Sequence, residues 1–342
     1  MKMSSPASAS DLLYHYTSES GLKGIVESGS LWATHIRFLN DYTEFRQAFR
    51  DRYVEVLTEA FRKGRRNDID PVAAQVIDGV LAKRNHSAIL ETIEGSAARN
   101  EIFVCSFTSS LGDGFDPGDR LSQWRGYSHS SQGFSLGFDK EALQKQIALD
   151  ERGAKASVLE CIYEGTGADF SFFQEMGHNA SLRFNELWAS GEPIPDSLPT
   201  NNPAATEEYR RASFYFLKAL SKATAAFFTN AARIKHSGFR EEHEWRIVRH
   251  ASHEALMHSG LTKFRKGQFG ETPYIEIPLG LTKLESSPLR RIVVGPSSHK
   301  DDLKCWVELL LERHGMRVSR GNSADIKGGV EVSTSEIPYR SA

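Results

Sequence analysis

Segments with the two-residue period of β-strands lie at the front, in the middle and at the back of the chain, and helical segments of unequal length separate them. The strand-like segments include residues 12–16, 101–107, 133–138, 157–163, 243–248 and 291–294. A regular alternation of strand and helix would predict a parallel α/β sheet, but these irregular intervals do not. The pattern therefore predicts the α+β class.

The chain is expected to form one domain behind a short tail. Residues 1–10 are rich in Ser and Ala and predict a flexible N-terminal tail. Residues 11–340 predict a single α+β domain with helical insertions at about 42–95 and 165–235. Four prolines within 191–203 interrupt the second insertion. Because strand-like segments lie on both sides of them, we expect these prolines to join two helices and not two domains.

Composition and charge exclude several classes of protein. The 42 Lys and Arg residues nearly balance the 44 Asp and Glu residues, so no global attraction to nucleic acid or to an anionic membrane is expected. No apolar run exceeds four residues, and the first ten residues lack the apolar core of a secretory signal. The three cysteines are far apart and predict neither a disulfide framework nor a thiolate metal site. We therefore expect a cytoplasmic protein with no membrane partner.

Residues 238–248 combine charged and aromatic side chains in a strand-like segment. Because side chains alternate between the two faces of a strand, Glu242, Glu244 and Arg246 are expected on one face. One interpretation is a solvated polar face backed by an apolar one. The other is a pair of carboxylates in a cleft, where one steadies a developing positive charge and the other orients a nucleophile or a ribose hydroxyl.

Two other segments offer side chains suited to a sugar and a planar base. Residues 14–17, Tyr-His-Tyr-Thr, place His15 between two tyrosines on a predicted strand, and the alternative is a core histidine. Residues 122–128 place Trp124 and Tyr127 after a glycine-rich loop. Their rings would either stack on a planar ligand or fasten the loop to the core.

Several short motifs, specific as a set, resemble the bacterial domain-of-unknown-function family 2971 from about residue 12 to residue 340. The motifs are residues 14–17, 21–25, 31–33, 38–44, 106–107, 124–138, 239–246, 292–296 and 335–340. The family name implies no chemistry.

The first motif, residues 14–17 followed by a short helix and Leu31-Trp32, is more distantly similar to the start of ADP-ribosyltransferases. This resemblance implies small mixed or antiparallel sheets of the ADP-ribosyltransferase type and NAD as the substrate, with no metal. It implies that Glu244 is the catalytic carboxylate at the ribose, that Glu242 orients the acceptor, and that His15 holds the ribose. The further candidate residues for nucleotide binding are Tyr16, Thr17, Trp32, Asn40, Asp41, Ser106, Trp124, Tyr127 and Arg246.

In that chemistry, the bond between nicotinamide and ribose breaks with oxocarbenium character, as in glycoside hydrolysis. The resemblance therefore implies an NAD-consuming ADP-ribosyltransferase or NAD glycohydrolase, of a kind that serves as a toxin or phage-defence effector. The acceptor stays open between nucleic acid, protein, a small molecule and water.

Two other functions fit the same residues. A metal-dependent nuclease or phosphoesterase would take its oxygen ligands from Asp41, Glu44, Glu242 and Glu244. In a non-catalytic sensor or interaction module, the tryptophans of these motifs would belong to the core. The Asn40-Asp41 pair, with Glu44 at capping-box spacing, would then only begin a helix.

Overall fold

The computed structural model describes residues 12–39, 51–65, 69, 71–82, 100–127, 133–148, 155–195, 206–267, 270–282, 286–320 and 329–338. The predicted tail at residues 1–10 and the predicted helix start at Asn40-Asp41 lie outside these residues.

The strands are β1 (Leu12–Ser18), β2 (Ser30–His35), β3 (Asn100–Thr108), β4 (Gly133–Asp139), β5 (Lys155–Glu160), β6 (Ile162–Tyr163), β7 (Ile234–Lys235), β8 (Glu244–Ser252), β9 (Lys263–Gly267), β10 (Gly270–Pro278), β11 (Leu289–Val294), β12 (Val318–Ser319) and β13 (Val330–Thr334). The helices are α1 (Glu19–Ser28), α2 (Asp51–Gly64), α3 (Pro71–Val80), α4 (Leu121–Tyr127), α5 (Lys140–Ala148), α6 (Ala168–Ser190), α7 (Glu207–Ala231), α8 (His253–Ser259) and α9 (Lys300–Arg313).

Eleven of the described strands form one mixed sheet. Nine of them follow the order β12-β13-β11-β4-β1-β3-β2-β10-β9, while β8 joins through β3 and β5 joins through β8. The predicted α+β class is confirmed. One large sheet takes the place of the small sheets that the resemblance implies, because β4 pairs with β1 on one edge and with β11 on the other. The front and the back of the chain thereby share one sheet.

The first helix shows how local sequence starts and ends these elements. Ser18 is the N-cap of α1, and its hydroxyl accepts a hydrogen bond from the backbone N–H of Gly21. Gly29 ends the helix with a φ of 63°, a left-handed conformation that suits glycine. The sequence prediction for this helix is therefore confirmed.

Different helices cover the two faces of the sheet. On one face, α1 and α9 bury Leu22 and Leu310 in a core that includes Phe138 of β4. On the other face, α2, α3, α6 and α7 share a second core. There the ring of Phe61 meets the ring of Phe184 edge-on, with 5.7 Å between the ring centroids. The helices of both predicted insertions therefore lie together in one layer.

Strands on both sides of the proline-rich segment belong to the same sheet, since β5 pairs with β8 from Lys155 to Glu160. No helix in the described part of the chain is long and apolar enough to cross a membrane.

The helical layer generates a stability prediction at Gly177, where α6 crosses α2. A Cβ atom at this position would lie 2.3 Å from the carbonyl oxygen of Leu57 and 2.9 Å from Cβ of Ala60. We expect Gly177→Ala to lower the free energy of unfolding by about 1 to 3 kcal/mol, because the helices must separate. Urea unfolding followed by circular dichroism measures this change.

Gly24 in α1 is the matched control, since a Cβ there makes only ordinary contact, 3.9 Å from the ring of Trp32. Gly24→Ala should be neutral or raise the unfolding free energy by up to about 1 kcal/mol through helix propensity. A Gly177→Ala protein as stable as the Gly24→Ala protein would show that the helices do not pack this closely.

Candidate active site

The sheet divides at β3, and this division shapes a cavity. Along one edge, β3 pairs with β8 from Asn100 to Thr108. Along the other edge, β2 pairs with β3 at Phe103 and Val104, whereas β1 pairs with it at Thr108. β1 and β2 therefore diverge along this edge of β3, and a gap opens between them.

His15 of β1 lies at this gap. Its Nδ1 donates a hydrogen bond to the carbonyl oxygen of Ser106, 2.9 Å away. Burial, together with the charge of Arg265, lowers the pKa of His15 below its usual value despite the Ser106 carbonyl, so the ring is neutral at pH 7. Because Nδ1 carries the proton, Nε2 is a hydrogen-bond acceptor. No group among the described residues donates to Nε2.

A cavity of about 570 Å³ lies beside His15, within the size range of small-molecule sites. Seven of the twelve proposed site residues line it, namely His15, Tyr16, Thr17, Ser106, Tyr127, Glu242 and Glu244. Since β1 and β8 lie on opposite edges of β3, two strand spacings, about 10 Å, separate their backbones. The first strand and the late strand thus contribute to one cavity.

The two carboxylates share a buried lysine. Nζ of Lys235 contacts Oε2 of Glu242 at 2.7 Å and also contacts Oε2 of Glu244. Arg246 adds a second cation, with its Nε 2.6 Å from Oε1 of Glu244. Both oxygens of Glu244 are therefore engaged, whereas Glu242 lies nearer the opening. The exposed fraction of the side chain is 22% for Glu242 and 4% for Glu244.

These contacts determine the charge of Glu244. Burial alone would raise the pKa of this carboxyl group, but the charges of Arg246 and Lys235 outweigh burial and lower the pKa to about 2. The same pairing raises the pKa of Lys235, although burial acts in the opposite direction. Glu244 is therefore ionised and Lys235 protonated at pH 7.

The prediction that Glu242 lies on a strand face with Glu244 and Arg246 is wrong for Glu242. β8 begins at Glu244, and Glu242 ends a 3₁₀ helix at Ser237–Glu242. Between them, His243 takes a left-handed conformation with a φ of 42°. Its carbonyl accepts the backbone N–H of Ser109, which fixes this strained turn. The turn brings Glu242 to Lys235 from outside the sheet.

Two of the proposed aromatic residues have structural roles instead. The ring of Trp124 is buried edge-on against Tyr16, with 4.6 Å between the centroids, and its Nε1 donates to Asp119. Trp32 packs against Tyr274, and neither tryptophan lines the cavity. Tyr127 does line the cavity and is 47% exposed, which leaves it as the aromatic ring suited to a planar ligand.

The remaining proposed residues differ in whether they line the cavity and in what their side chains contact. Arg246 holds Glu244 from behind and does not line the cavity, while its Nη1 donates to the carbonyl of Ala232. Tyr16 lines the cavity, but its hydroxyl donates to the carbonyl of Pro117 and so fastens the glycine-rich loop to β1. Asn40 and Asp41 lie outside the described residues.

The sequence reasoning missed Lys235 and Arg265. Arg265 lines the cavity, and its Nη2 donates to Thr34 across the neighbouring strand. Among the described residues, no carboxylate pairs with it. A single lysine after a helix and one arginine in Lys-Phe-Arg-Lys belong to no recognisable motif, so no local signal distinguishes them. Their importance follows from the tertiary structure, which places Lys235 against the two glutamates and Arg265 in the cavity wall.

The position of Lys235 also concerns the metal site that the nuclease alternative would need at Glu242 and Glu244. Lys235 occupies the position between Glu242 and Glu244 that a divalent cation bound by both would need. Within the part of the chain that the structure describes, no group of three or more His, Cys, Asp or Glu residues is arranged to hold a metal ion.

Comparison with protein families gives a match over part of the chain. The family model DUF2971, a protein of unknown function, matches residues 123–247. This range runs from α4 with Tyr127 to the Glu242 and Glu244 segment, and over it the resemblance is confirmed. No curated protein and no solved structure matches the chain. The similarity to ADP-ribosyltransferases stays a prediction.

The shared lysine generates a stability prediction. We expect Lys235→Met to lower the free energy of unfolding at pH 7 by about 3 to 5 kcal/mol, because the substitution removes one of the two cations that balance Glu242 and Glu244. Lys145→Met, at an exposed lysine of α5, should change it by less than about 0.5 kcal/mol. Urea unfolding of both variants measures the difference, and equal stability of the two would contradict the buried ion network.

The pH dependence of the same variant gives a second prediction. Glu244 has a folded-state pKa of about 2, below its usual value of 4.5. Its contribution to stability is therefore present above about pH 4.5 and is lost as the pH falls toward 2. Without Lys235 the folded-state pKa rises, so unfolding free energy should decline less steeply below pH 4.5 in Lys235→Met than in the wild type. Parallel slopes would show that Lys235 does not set the pKa of Glu244.

Proposed function

We propose that this protein breaks the bond between nicotinamide and ribose in NAD and transfers the ADP-ribosyl group to an acceptor or to water. One observation carries the proposal. A single cavity is lined by two carboxylates, by a neutral histidine with an acceptor nitrogen, and by Arg265, which no described carboxylate pairs with.

The charged and polar groups of this cavity suit the parts of NAD, and Lys235 and Arg246 hold the two carboxylates in place. The nicotinamide ring carries a positive charge, and the diphosphate carries negative charge. Glu242 and Glu244 supply carboxylates on one wall, while the Arg265 guanidinium supplies the donors that a phosphate accepts. Nε2 of His15 is suited to accept a hydrogen bond from a ribose hydroxyl. The exposed ring of Tyr127 offers a face for the nicotinamide.

The bond cleavage needs no metal ion. The electron pair of the glycosidic bond passes to the ring nitrogen, and nicotinamide leaves as a neutral molecule. Positive charge develops on the ribose, and a carboxylate nearby stabilises it. The nucleophile then forms a bond to the same carbon and loses its proton to solvent or to a base.

The two carboxylates have different roles in this proposal. Because Lys235 and Arg246 engage both oxygens of Glu244, we assign Glu244 a positioning role through Lys235. Glu242 is more exposed and lies at the cavity wall, so we assign it the contact with the ribose or with the acceptor. The resemblance implies that Glu244 is the catalytic carboxylate, whereas this proposal assigns the contact with the substrate to Glu242.

The proposal extends to the biological setting. Consumption of NAD, or modification of a macromolecule, harms a cell, and we therefore include a role as a toxin or phage-defence effector. The substrate would be met in the cytoplasm. The acceptor is a nucleic acid, a protein, a small molecule or water.

Release of nicotinamide from NAD by the purified protein tests the proposal. We expect Glu242→Gln to reduce kcat by about 100-fold to 1000-fold, because a carboxylate that stabilises the developing charge is lost. Glu241→Gln, at the exposed neighbouring glutamate, should leave kcat unchanged. Assays without an acceptor, with nucleic acid and with cell lysate cover the possible acceptors.

Arg265→Gln separates binding from chemistry. We expect a higher KM with little change in kcat, because a contact to the diphosphate is made equally in the bound substrate and in the transition state. A chelating agent should leave turnover unchanged. If the folded protein releases no nicotinamide with any acceptor, NAD chemistry is excluded, and turnover that needs a divalent metal would favour the nuclease or phosphoesterase alternative.

A further inference from the structure

A second cavity, of about 1010 Å³, lies on the far side of Glu244 from the candidate active site. Its walls come from the segment around β6, from α6, and from the end of α7 with the residues that follow it. Tyr163 and Cys161 belong to its wall, and both also hold the backbone of Glu244. The Tyr163 hydroxyl accepts a hydrogen bond from the backbone N–H of Glu244 at 2.9 Å, and the backbone N–H of Cys161 donates a hydrogen bond to the carbonyl of Glu244.

The chemistry of this second cavity centres on Arg233. Its Nε donates to the carbonyl of Glu160 at 2.7 Å, and its Nη1 donates to the side-chain oxygen of Asn230 at 2.9 Å. These contacts fix the guanidinium plane, and none of them neutralises its charge. Within the described residues, no carboxylate lies within ion-pair distance of Arg233, and the carboxylate of Glu160, in the same cavity wall, attracts it only from farther away. Burial outweighs this attraction and lowers the pKa of Arg233 below its usual value. A half-buried cation without a direct ion pair favours an anionic ligand.

A second arginine in the same cavity shows the contrast. Nη1 of Arg183 lies 2.7 Å from Oε2 of Glu186, so its charge is already paired. The carboxylates of Glu160 and Glu175 also line the cavity, so its wall is not positive overall. Among its described residues, Arg233 is the cation that has no direct ion pair.

The rest of the lining indicates the body of the ligand. Ile162, Phe172 and Met176 contribute apolar surface, and Met176 is a flexible side chain that adapts to varied shapes. Nothing in the NAD chemistry proposed above uses these residues. The cavity thus combines apolar surface with a guanidinium group of fixed orientation, and apolar pockets with a few placed polar groups are typical of small-molecule sites.

We propose that this second cavity is a binding site for an organic anion with an apolar body, and that Arg233 holds its carboxylate or phosphate group. The ligand sits against the wall that carries Tyr163, next to the backbone of Glu244. Binding itself does not depend on the function proposed for the first cavity.

Four probes with the same ten-carbon chain test the proposal: decanoate, decyl phosphate, decanol and decylamine, each below its micellar concentration. Isothermal titration calorimetry with the full-length protein should show binding of at least one of the two anions. The neutral and cationic probes should bind at least about tenfold more weakly, because each lacks the charge-assisted hydrogen bonds to Arg233. Decanoate and decyl phosphate together distinguish a carboxylate ligand from a phosphate ligand.

Three variants locate the site. Arg233→Gln should weaken the anion about tenfold to 100-fold, whereas Arg183→Gln should have a smaller effect, because its guanidinium is already paired. Asn179→Trp, at an exposed residue of the lining, should block the cavity without disturbing the core. Thermal melting verifies that each variant is folded.

The proposal is overturned if neither anion binds, if decylamine binds as tightly as the anions, or if Arg233→Gln and Arg183→Gln lose affinity equally. Full affinity in a folded Asn179→Trp protein would also overturn it. Because calorimetry detects binding without turnover, these results are independent of any nicotinamide release.

Discussion

The candidate site depends on a lysine that lies almost completely buried between two glutamates. Lys235 has 2% of its surface exposed and contacts both Glu242 and Glu244. A buried ammonium group is stable only with negative partners and good hydrogen bonds, and the carboxylates in turn need the cation. The short strand β7, the turn at His243 and the start of β8 therefore have to meet at one point. Arg246 completes the charge balance from behind.

The divergence of β1 and β2 along β3 supplies the space in front of this ion network. Where the two strands separate, the carbonyl of Ser106 accepts its hydrogen bond from the side chain of His15. This contact selects the tautomer of the imidazole, while burial and the charge of Arg265 keep the ring neutral. On the far side of Glu244, Tyr163 and Cys161 join the ion network to the second cavity. Glu244 thus connects the two cavities: its side chain lines the first, and residues of the second hold its backbone.

Local sequence predicted the elements well where one interaction decides the outcome. The Ser18 cap and the Gly29 terminator define α1, and alternation correctly places Glu244 and Arg246 on one strand face. The alternation rule is wrong for Glu242, because His243 takes a left-handed conformation that interrupts the strand. A histidine in that position does not predict such a conformation. The sequence around Trp124 does not distinguish a ring that stacks on a ligand from a ring that packs in the core. That distinction depends on Tyr16 and Asp119, which meet Trp124 only in the folded sheet.

The sequence by itself determined the α+β class, the start and end of individual helices and strands, and the set of residue types available for chemistry, because these follow from local periodicity, capping and composition. Only the tertiary structure decided that the strands of the front and the back share one sheet around β4, and that Lys235 pairs with both glutamates. It also decided that Arg233 and Arg265 line cavities with no carboxylate of the described residues within ion-pair distance. The reason is physical: the charge state and the exposure of a side chain depend on groups that are distant in the chain and become neighbours only when the sheet and the helical layer pack together.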